Sequence, residues 1–244
     1  MADKHQQKSG QLLITGATGG MGRACALLAA RERYDLVLAD LSPDKLEELA
    51  AECVEKGVAA RCQMLDVTQS GSIDALVTVL RTSGGVDAII HTVGLSPQMA
   101  ASERIIAVDL VGTIELLEMA RPTLKAGGCA VVVASMSAYM VPPNEVIDQA
   151  FADPLADDFS HGLNALTAAG GLLENSGMAY AYAKRALKQY VTDRAPVWGK
   201  EGKRFISLSP GLIDTAMGRL ENDAMENFEE MRRLIALDRL GQPE

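Results

Sequence analysis

Gln11-Leu-Leu-Ile-Thr-Gly-Ala-Thr-Gly-Gly-Met-Gly22 and its continuation to Asp40 decide how this chain folds. Leu12, Leu13 and Ile14 form a short apolar run between Gly10 and Gly16, as a buried strand does. A loop with Gly16, Gly19, Gly20, Met21 and Gly22 follows, and then an Ala- and Leu-rich helical stretch from Arg23 to Arg33. Leu36 to Ala39 reads as a second strand, with Asp40 at its end. Glycines let the backbone turn tightly and approach a pyrophosphate, whose charge is met by the amides of a helix N-terminus. A carboxylate about 20 residues on accepts hydrogen bonds from the adenosine ribose and repels a 2′-phosphate. Strand, glycine loop, helix and acid together predict a dinucleotide site that prefers NAD to NADP. Arg23 is near enough in sequence to meet a phosphate instead.

The totals set the frame. A chain of 244 residues suffices for one large domain with a sizeable core and does not require two. No run of about 18 apolar residues occurs, so no membrane span is expected. Met1 to Gly10 is polar, lacks the apolar centre of a secretory signal, and reads as a short disordered tail. A formal net charge of −9 argues against a nucleic-acid partner. Cys25, Cys53, Cys62 and Cys129 stand at no metal-ligand or redox spacing, so they read as small buried side chains in a reducing compartment. The expectation is a cytoplasmic protein without a metal.

Beyond Asp40 the chain keeps alternating. Ser42 and Pro43 open a helix that Gly57 ends. Ala59–Leu65 reads as a third strand, Ser72–Leu80 as a helix, and Val86–Thr92 as a fourth strand buried on both faces. One long helix is expected from Ser102 to Lys125, with Pro122 in its last turn. Gly128 opens an apolar strand at Ala130–Ala134, Met178–Val197 is helical, and Arg204–Leu208 is a sixth strand. This alternation predicts an α/β domain, a doubly wound parallel sheet with helices on both faces and ligands at the C-terminal strand ends. The long connection from Met140 to Gly177 breaks the rhythm and is expected to be a substrate lid with some helix of its own.

Ser135 falls at the end of the fifth strand, and Tyr180 and Lys184 stand at i and i+4 on one helical face. With Thr15-Gly16, Gly20 and Gly22, Asp66-Val67 and Pro210-Gly-Leu-Ile-Asp-Thr215, they resemble the short-chain dehydrogenase/reductase family over nearly the whole chain from Gln11. The long Ser135–Tyr180 gap, Gly94-Leu-Ser-Pro-Gln98 and Ala195-Pro-Val-Trp-Gly199 are similar to its bacterial 3α-hydroxysteroid dehydrogenase/carbonyl reductase branch. A tyrosine's ordinary pKa of about 10 is too high for a base at neutral pH, and the Lys184 ammonium is expected to bring Tyr180 down. The resemblance implies that Lys184 also holds the nicotinamide ribose, and that Ser135 bonds the substrate oxygen. It places Asp66 and Val67 beside the adenine, and Val93 and Gly94 near the adenosine ribose. Pro210, Gly211, Ile213 and Thr215 would lie at the nicotinamide end. It further implies a homodimer or homotetramer through the helices beginning near Ser102 and Met178. Tyr182, with Ala186 rather than lysine four residues on, and Ser137 are the competing tyrosine and serine.

The chain also departs from the family pattern. His91-Thr-Val-Gly94 stands where the family has Asn-Asn-Ala-Gly, and His91 reads as a satisfied core histidine. Asp109 occupies the place of the relay asparagine, where it can accept from the same water, pair with Lys184, or be held protonated by burial. Leu240 to Glu244 resembles the family segment before one more helix and a last edge strand. The expected activity is NAD-dependent hydride transfer between nicotinamide and a secondary alcohol or ketone, a hydroxysteroid or other lipophilic carbonyl compound. The loop also fits a second glycine spacing through Gly19, which is similar to extended-branch nucleotide-sugar epimerases and dehydratases. A non-catalytic NAD(H)-sensing regulator is the other alternative.

Overall fold

The computed structural model describes residues 10–168 and 174–243. Of the expected tail, Met1 to Gly10, residues 1–9 lie outside the described residues, as does the Gly170-Gly171 pair of the long connection, whereas Gly10 already opens the first strand. The strands are β1 (Gly10–Thr15), β2 (Tyr34–Asp40), β3 (Ala60–Met64), β4 (Val86–His91), β5 (Leu124–Val133) and β6 (Arg204–Leu208). Helices α1 (Gly20–Arg31), α2 (Pro43–Glu55) and α3 (Ser70–Thr82) follow the first three strands, and α4 (Ser102–Ile106) and α5 (Thr113–Ala120) the fourth. Then come α6 (Glu145–Ala150), α7 (Phe159–Ala168) and α8 (Ser176–Lys200) before β6, with α9 (Ala216–Ala224) and α10 (Phe228–Arg233) after it.

The six strands form one parallel sheet in the order β3-β2-β1-β4-β5-β6. Successive residues of a strand face opposite ways. Leu12, Ile14, Leu36 and Leu38 accordingly pack on one face against Ala26 and Ala29 of α1 and Leu46 and Leu49 of α2. Leu13, Val37, Ile89 and Val132 pack on the other against Ile73 of α3, Ile114 of α5 and Leu187 of α8. The doubly wound α/β architecture expected from the alternation is therefore what forms. No helix among the described residues is long and apolar enough to cross a membrane.

The largest difference from expectation lies between Ser102 and Lys125. That run is α4, a π-helical turn at Ala107–Gly112, α5 and a 3₁₀ turn at Arg121–Thr123. Pro122 has no amide to extend α5, and Leu124 is buried opposite Val86, so β5 begins there rather than near Ala130. In the wider turn, Thr113 donates its hydroxyl hydrogen to the Val108 carbonyl at 3.0 Å. Gly112 presses so close to the Val67 carbonyl that a Cβ would stand 2.3 Å from that oxygen. Such turns recur where a helix must aim a side chain, and this one carries Asp109.

α8 is longer than the sequence suggested because packing outweighs the amide lost at Pro196. Trp198, fully buried, stacks on Phe205 with ring centroids 4.3 Å apart. Glu118 of α5 accepts from the Tyr190 hydroxyl at 3.1 Å and from Arg194 at 3.2 Å, which ties α8 to α5.

Candidate active site

The strand order sends the chain from β1 to β2 on one side and to β4 on the other. Such a reversal leaves a crevice at the C-terminal strand ends. A cleft of about 540 Å³ opens there. Gly16, Gly19, Gly20, Met21, Gly22, Asp40, Asp66, Val67, Val93, Gly94, Asp109, Ser135, Tyr180, Lys184, Pro210, Gly211, Ile213 and Thr215 all line it. Every site residue singled out in the sequence is thus brought into one place.

The glycine loop is held from below. Gly16 has a φ of +69°, and a Cβ on it would stand 2.7 Å from the Thr92 hydroxyl oxygen. That hydroxyl is directed at the Thr15 and Gly16 carbonyls, 2.9 and 3.2 Å away. A Cβ on Gly22 would lie 2.1 Å from the Gly16 carbonyl oxygen, backbone against backbone. Gly22→Ala should therefore lower stability by about 1–3 kcal/mol, as overpacking does, read as a shift of the urea unfolding midpoint. An unchanged midpoint would show that the loop can spread freely. α1 begins at this loop with no side-chain cap, so its first amides are left for a ligand.

Asp40 lines the cleft with its carboxylate fixed by the Thr18 amide at 2.9 Å and the Leu41 amide at 2.7 Å. Arg23 turns the other way, to a two-point contact with Glu52 on α2. It is outside the cleft lining, in an adjoining hollow that shares Thr18 and Lys45 with the cleft. This oxygen-rich floor, the uncapped helix and the glycine cradle fit a dinucleotide.

Deeper in the cleft, α8 presents Tyr180 and Lys184. Lys184 is almost fully buried; its ammonium pairs with Asp109 at 3.1 Å and donates to the Val133 carbonyl at 3.2 Å. The ammonium lies 5.6 Å from the centre of the Tyr180 ring. Asp109 is wholly buried and also accepts from the Leu95 amide at 2.8 Å. Of the readings left open for Asp109, the pairing with Lys184 is present, in surroundings whose burial also favours the protonated acid.

Burial works to lower the Lys184 pKa, but Asp109 and then Tyr180 outweigh it and hold the ammonium above its ordinary value. Burial pushes the Asp109 carboxyl up, against the pull of Lys184 and the Leu95 amide. Burial also pushes Tyr180 up, more than Lys184 and the hydrogen bond with Ser135 bring it down. The direction is therefore opposite to the expected lowering, because desolvation of the phenolate exceeds what the ammonium returns.

The competing candidates have other work. Tyr182 is buried and donates to the Pro142 carbonyl at 3.2 Å. Ser137 is outside the cleft lining and gives its amide to the Ser135 hydroxyl oxygen at 3.1 Å. His91 is wholly buried between the Thr15 and Thr113 hydroxyls, at 2.7 and 2.9 Å. Burial, with Lys184 nearby, lowers its pKa to about 3, so it stays neutral, the satisfied core histidine that was expected. Thr215 lines the cleft and also caps α9, accepting from the Gly218 amide at 3.0 Å.

Sequence reasoning missed several lining residues. Arg104 of α4 pairs with Asp66 at 3.6 Å and donates to Thr68 at 2.8 Å. Met217, Leu220 and Glu221 come from α9, and Leu95 and Met99 from the loop after β4. None stands in a recognisable spacing; the helical repeat after Thr215 was the only signal for α9. Among the described residues none between 140 and 177 lines the cleft, whereas Phe151 and Phe159 of that segment pack together, their ring centroids 6.1 Å apart. No cluster able to hold a metal ion occurs among the described residues.

Residues 11–147 match the family described as short chain dehydrogenase. The chain belongs to the short-chain dehydrogenase family. It is 27% identical over 235 residues to the short-chain dehydrogenase/reductase bsc3 of Alternaria brassicicola, covering 94% of this chain and 83% of that one. It is 32% identical over 159 residues to the 3-alpha-hydroxysteroid dehydrogenase/carbonyl reductase of Comamonas testosteroni, covering 62% of this chain and 58% of the relative. Among solved structures it is similar to NAD+-bound xylitol dehydrogenase, with a TM-score of 0.74 and 22% identity over 98% of this chain and 89% of that one. Members of the family are oxidoreductases that act on small molecules with a nicotinamide cofactor, NAD or NADP, and often form oligomers.

Proposed function

We propose that this chain is an NAD-dependent oxidoreductase that moves hydride between nicotinamide and a secondary alcohol or ketone, with a hydroxysteroid or another lipophilic carbonyl compound as substrate class. The observation that carries the reading is the meeting of Ser135, Tyr180 and Lys184 in the same cleft as the glycine loop and Asp40. NAD rather than NADP is supported by the fixed Asp40 carboxylate and by Arg23 being engaged elsewhere. A lipophilic substrate is supported by Leu95, Met99, Met217 and Leu220 along the lining, and by the hydroxysteroid relative. A covering role for 140–177 goes with this reading, since the ends of that segment adjoin Ser135 and Tyr180. So do a cytoplasmic location and a homodimer or homotetramer packed through α4, α5 and α8.

A bound dinucleotide supplies or accepts the hydride. Tyr180 exchanges the proton of the substrate oxygen, and Ser135 donates to that oxygen and steadies the charge developing on it. Lys184 orients Tyr180 and holds the ribose hydroxyls, while Asp109 keeps Lys184 in place. Gly16, Gly19, Gly20, Met21 and Gly22 cradle the pyrophosphate, and Asp40 receives the adenosine ribose. Asp66, Val67, Val93 and Gly94 flank the adenosine, and Pro210, Gly211, Ile213 and Thr215 the nicotinamide.

The test is fluorescence of the reduced cofactor on mixing the protein with NAD or NADP and a panel of steroid, aliphatic and aromatic secondary alcohols. Turnover with NAD is expected. Asp40→Asn should move the NAD-to-NADP ratio of kcat/KM about tenfold or more towards NADP, since a repulsion of 1–4 kcal/mol is removed. Tight binding of NAD with no net turnover on the panel would favour internal recycling on a nucleotide sugar or a sensing role.

A further inference from the structure

We propose that Asp109 sets the pH dependence of this site: paired with Lys184, it opposes the ammonium's pull on Tyr180 and so raises the pH at which the Tyr180 hydroxyl gives up its proton. The inference rests on the oxidoreductase reading above. It makes Asp109 a positioning residue that acts through Lys184.

The geometry is specific. Among the described residues the Lys184 ammonium pairs with Asp109 at 3.1 Å and donates to the uncharged Val133 carbonyl at 3.2 Å. With the side chain of Asp109 0% exposed and that of Lys184 4%, a net charge on the pair would be isolated from solvent. A buried pair of this kind is held neutral overall, because either partner alone is the costly state. The other groups facing Tyr180 add no further cation. Ser135, from the turn after β5, is a neutral hydroxyl, and Glu221 of α9 is an acid that opposes the phenolate as Asp109 does. His91, behind Lys184, is neutral between its two threonines. Tyr180 is itself largely withdrawn from solvent, which disfavours a phenolate.

In the reductive direction the Tyr180 O–H bond breaks as the substrate oxygen takes the proton, and the carbonyl π pair becomes the new O–H bond. The pair that forms the C–H bond arrives as the hydride supplied by the reduced dinucleotide, and solvent reprotonates the phenolate. Alcohol oxidation needs Tyr180 deprotonated first and so gains only towards alkaline pH.

The experiment is an ultraviolet titration of tyrosinate in the ligand-free protein, with the Tyr180→Phe curve subtracted to isolate Tyr180. Asp109→Asn keeps an oxygen for the Leu95 amide and leaves Lys184 unopposed, so the Tyr180 transition should fall by about 1–3 pH units. Asp109→Ser should move it the same way and serves if the first variant does not fold. A transition that stays put or rises in a folded neutral variant overturns the proposal. No substrate enters this measurement, so absence of turnover on the alcohol panel, which would sink the oxidoreductase reading, is a separate result. Where turnover is seen, the acid limb of the oxidation profile should shift with the titration.

Discussion

Tyr180→Phe should lower kcat by about 10²- to 10⁴-fold in either direction, the usual share of a positioned proton donor. The ring stays, so its buried contacts and the face it offers Lys184 at 5.6 Å are kept. What goes is the hydroxyl that hydrogen-bonds with Ser135 and that, on the proposed function, exchanges a proton with substrate. Dinucleotide affinity, measured by quenching of protein fluorescence, should stay within a few-fold, because the loop and Asp40 are untouched. Stopped-flow turnover of the two proteins at saturating cofactor makes the comparison. A kcat within tenfold of the parent would remove Tyr180 from the chemistry and leave the site to another donor.

Lys184→Met should cost about 3–5 kcal/mol of stability at pH 8, because it leaves Asp109 buried without its ammonium. The loss should depend on pH, and its sign follows from Asp109. Burial raises this carboxyl in the folded chain, and without Lys184 nothing but the Leu95 amide opposes the rise. The folded variant then binds a proton more readily than the unfolded one, between the ordinary carboxylate value and the raised one. Stability in that window grows as pH falls and is lost as pH rises. Urea unfolding at pH 5.5 and pH 8.5 should accordingly show the variant regaining part of its deficit at the lower pH. A deficit that is equal at both would mean that Asp109 stays ionised in the folded variant down to pH 5.5, its carboxyl not raised into that window. On the proposed function, turnover should be lost at both, since Tyr180 and the ribose hydroxyls would lose the group that orients them.

Much of this molecule was legible in the residues because its physics is local. An apolar run between glycines, a helical repeat and a carboxylate at the next strand end need no distant partner to be recognised. β1, α1 and β2 formed where they were expected for that reason. The i, i+4 spacing likewise put Tyr180 and Lys184 on one face of α8 before any packing was known. The run from Ser102 to Lys125 was read less well. Its helical repeat is real, but the π turn answers to Val67 pressing on Gly112 and the early start of β5 to Val86 opposite Leu124. Neither contact is visible along the chain.

The class of fold, the place of the cleft and the identity of the residues that meet there could be read along the chain, because spacing and residue chemistry carry that information. Tertiary structure alone decided what those residues do to one another. Arg23 chose Glu52 over the cleft, Arg104 reached Asp66, and α9 brought Glu221 towards Lys184. Above all, Asp109 became the partner of Lys184, a residue far along the chain, and burial came to outweigh the ammonium's pull on Tyr180. Electrostatic effects depend on distance and burial in space, and neither is a property of position along a chain.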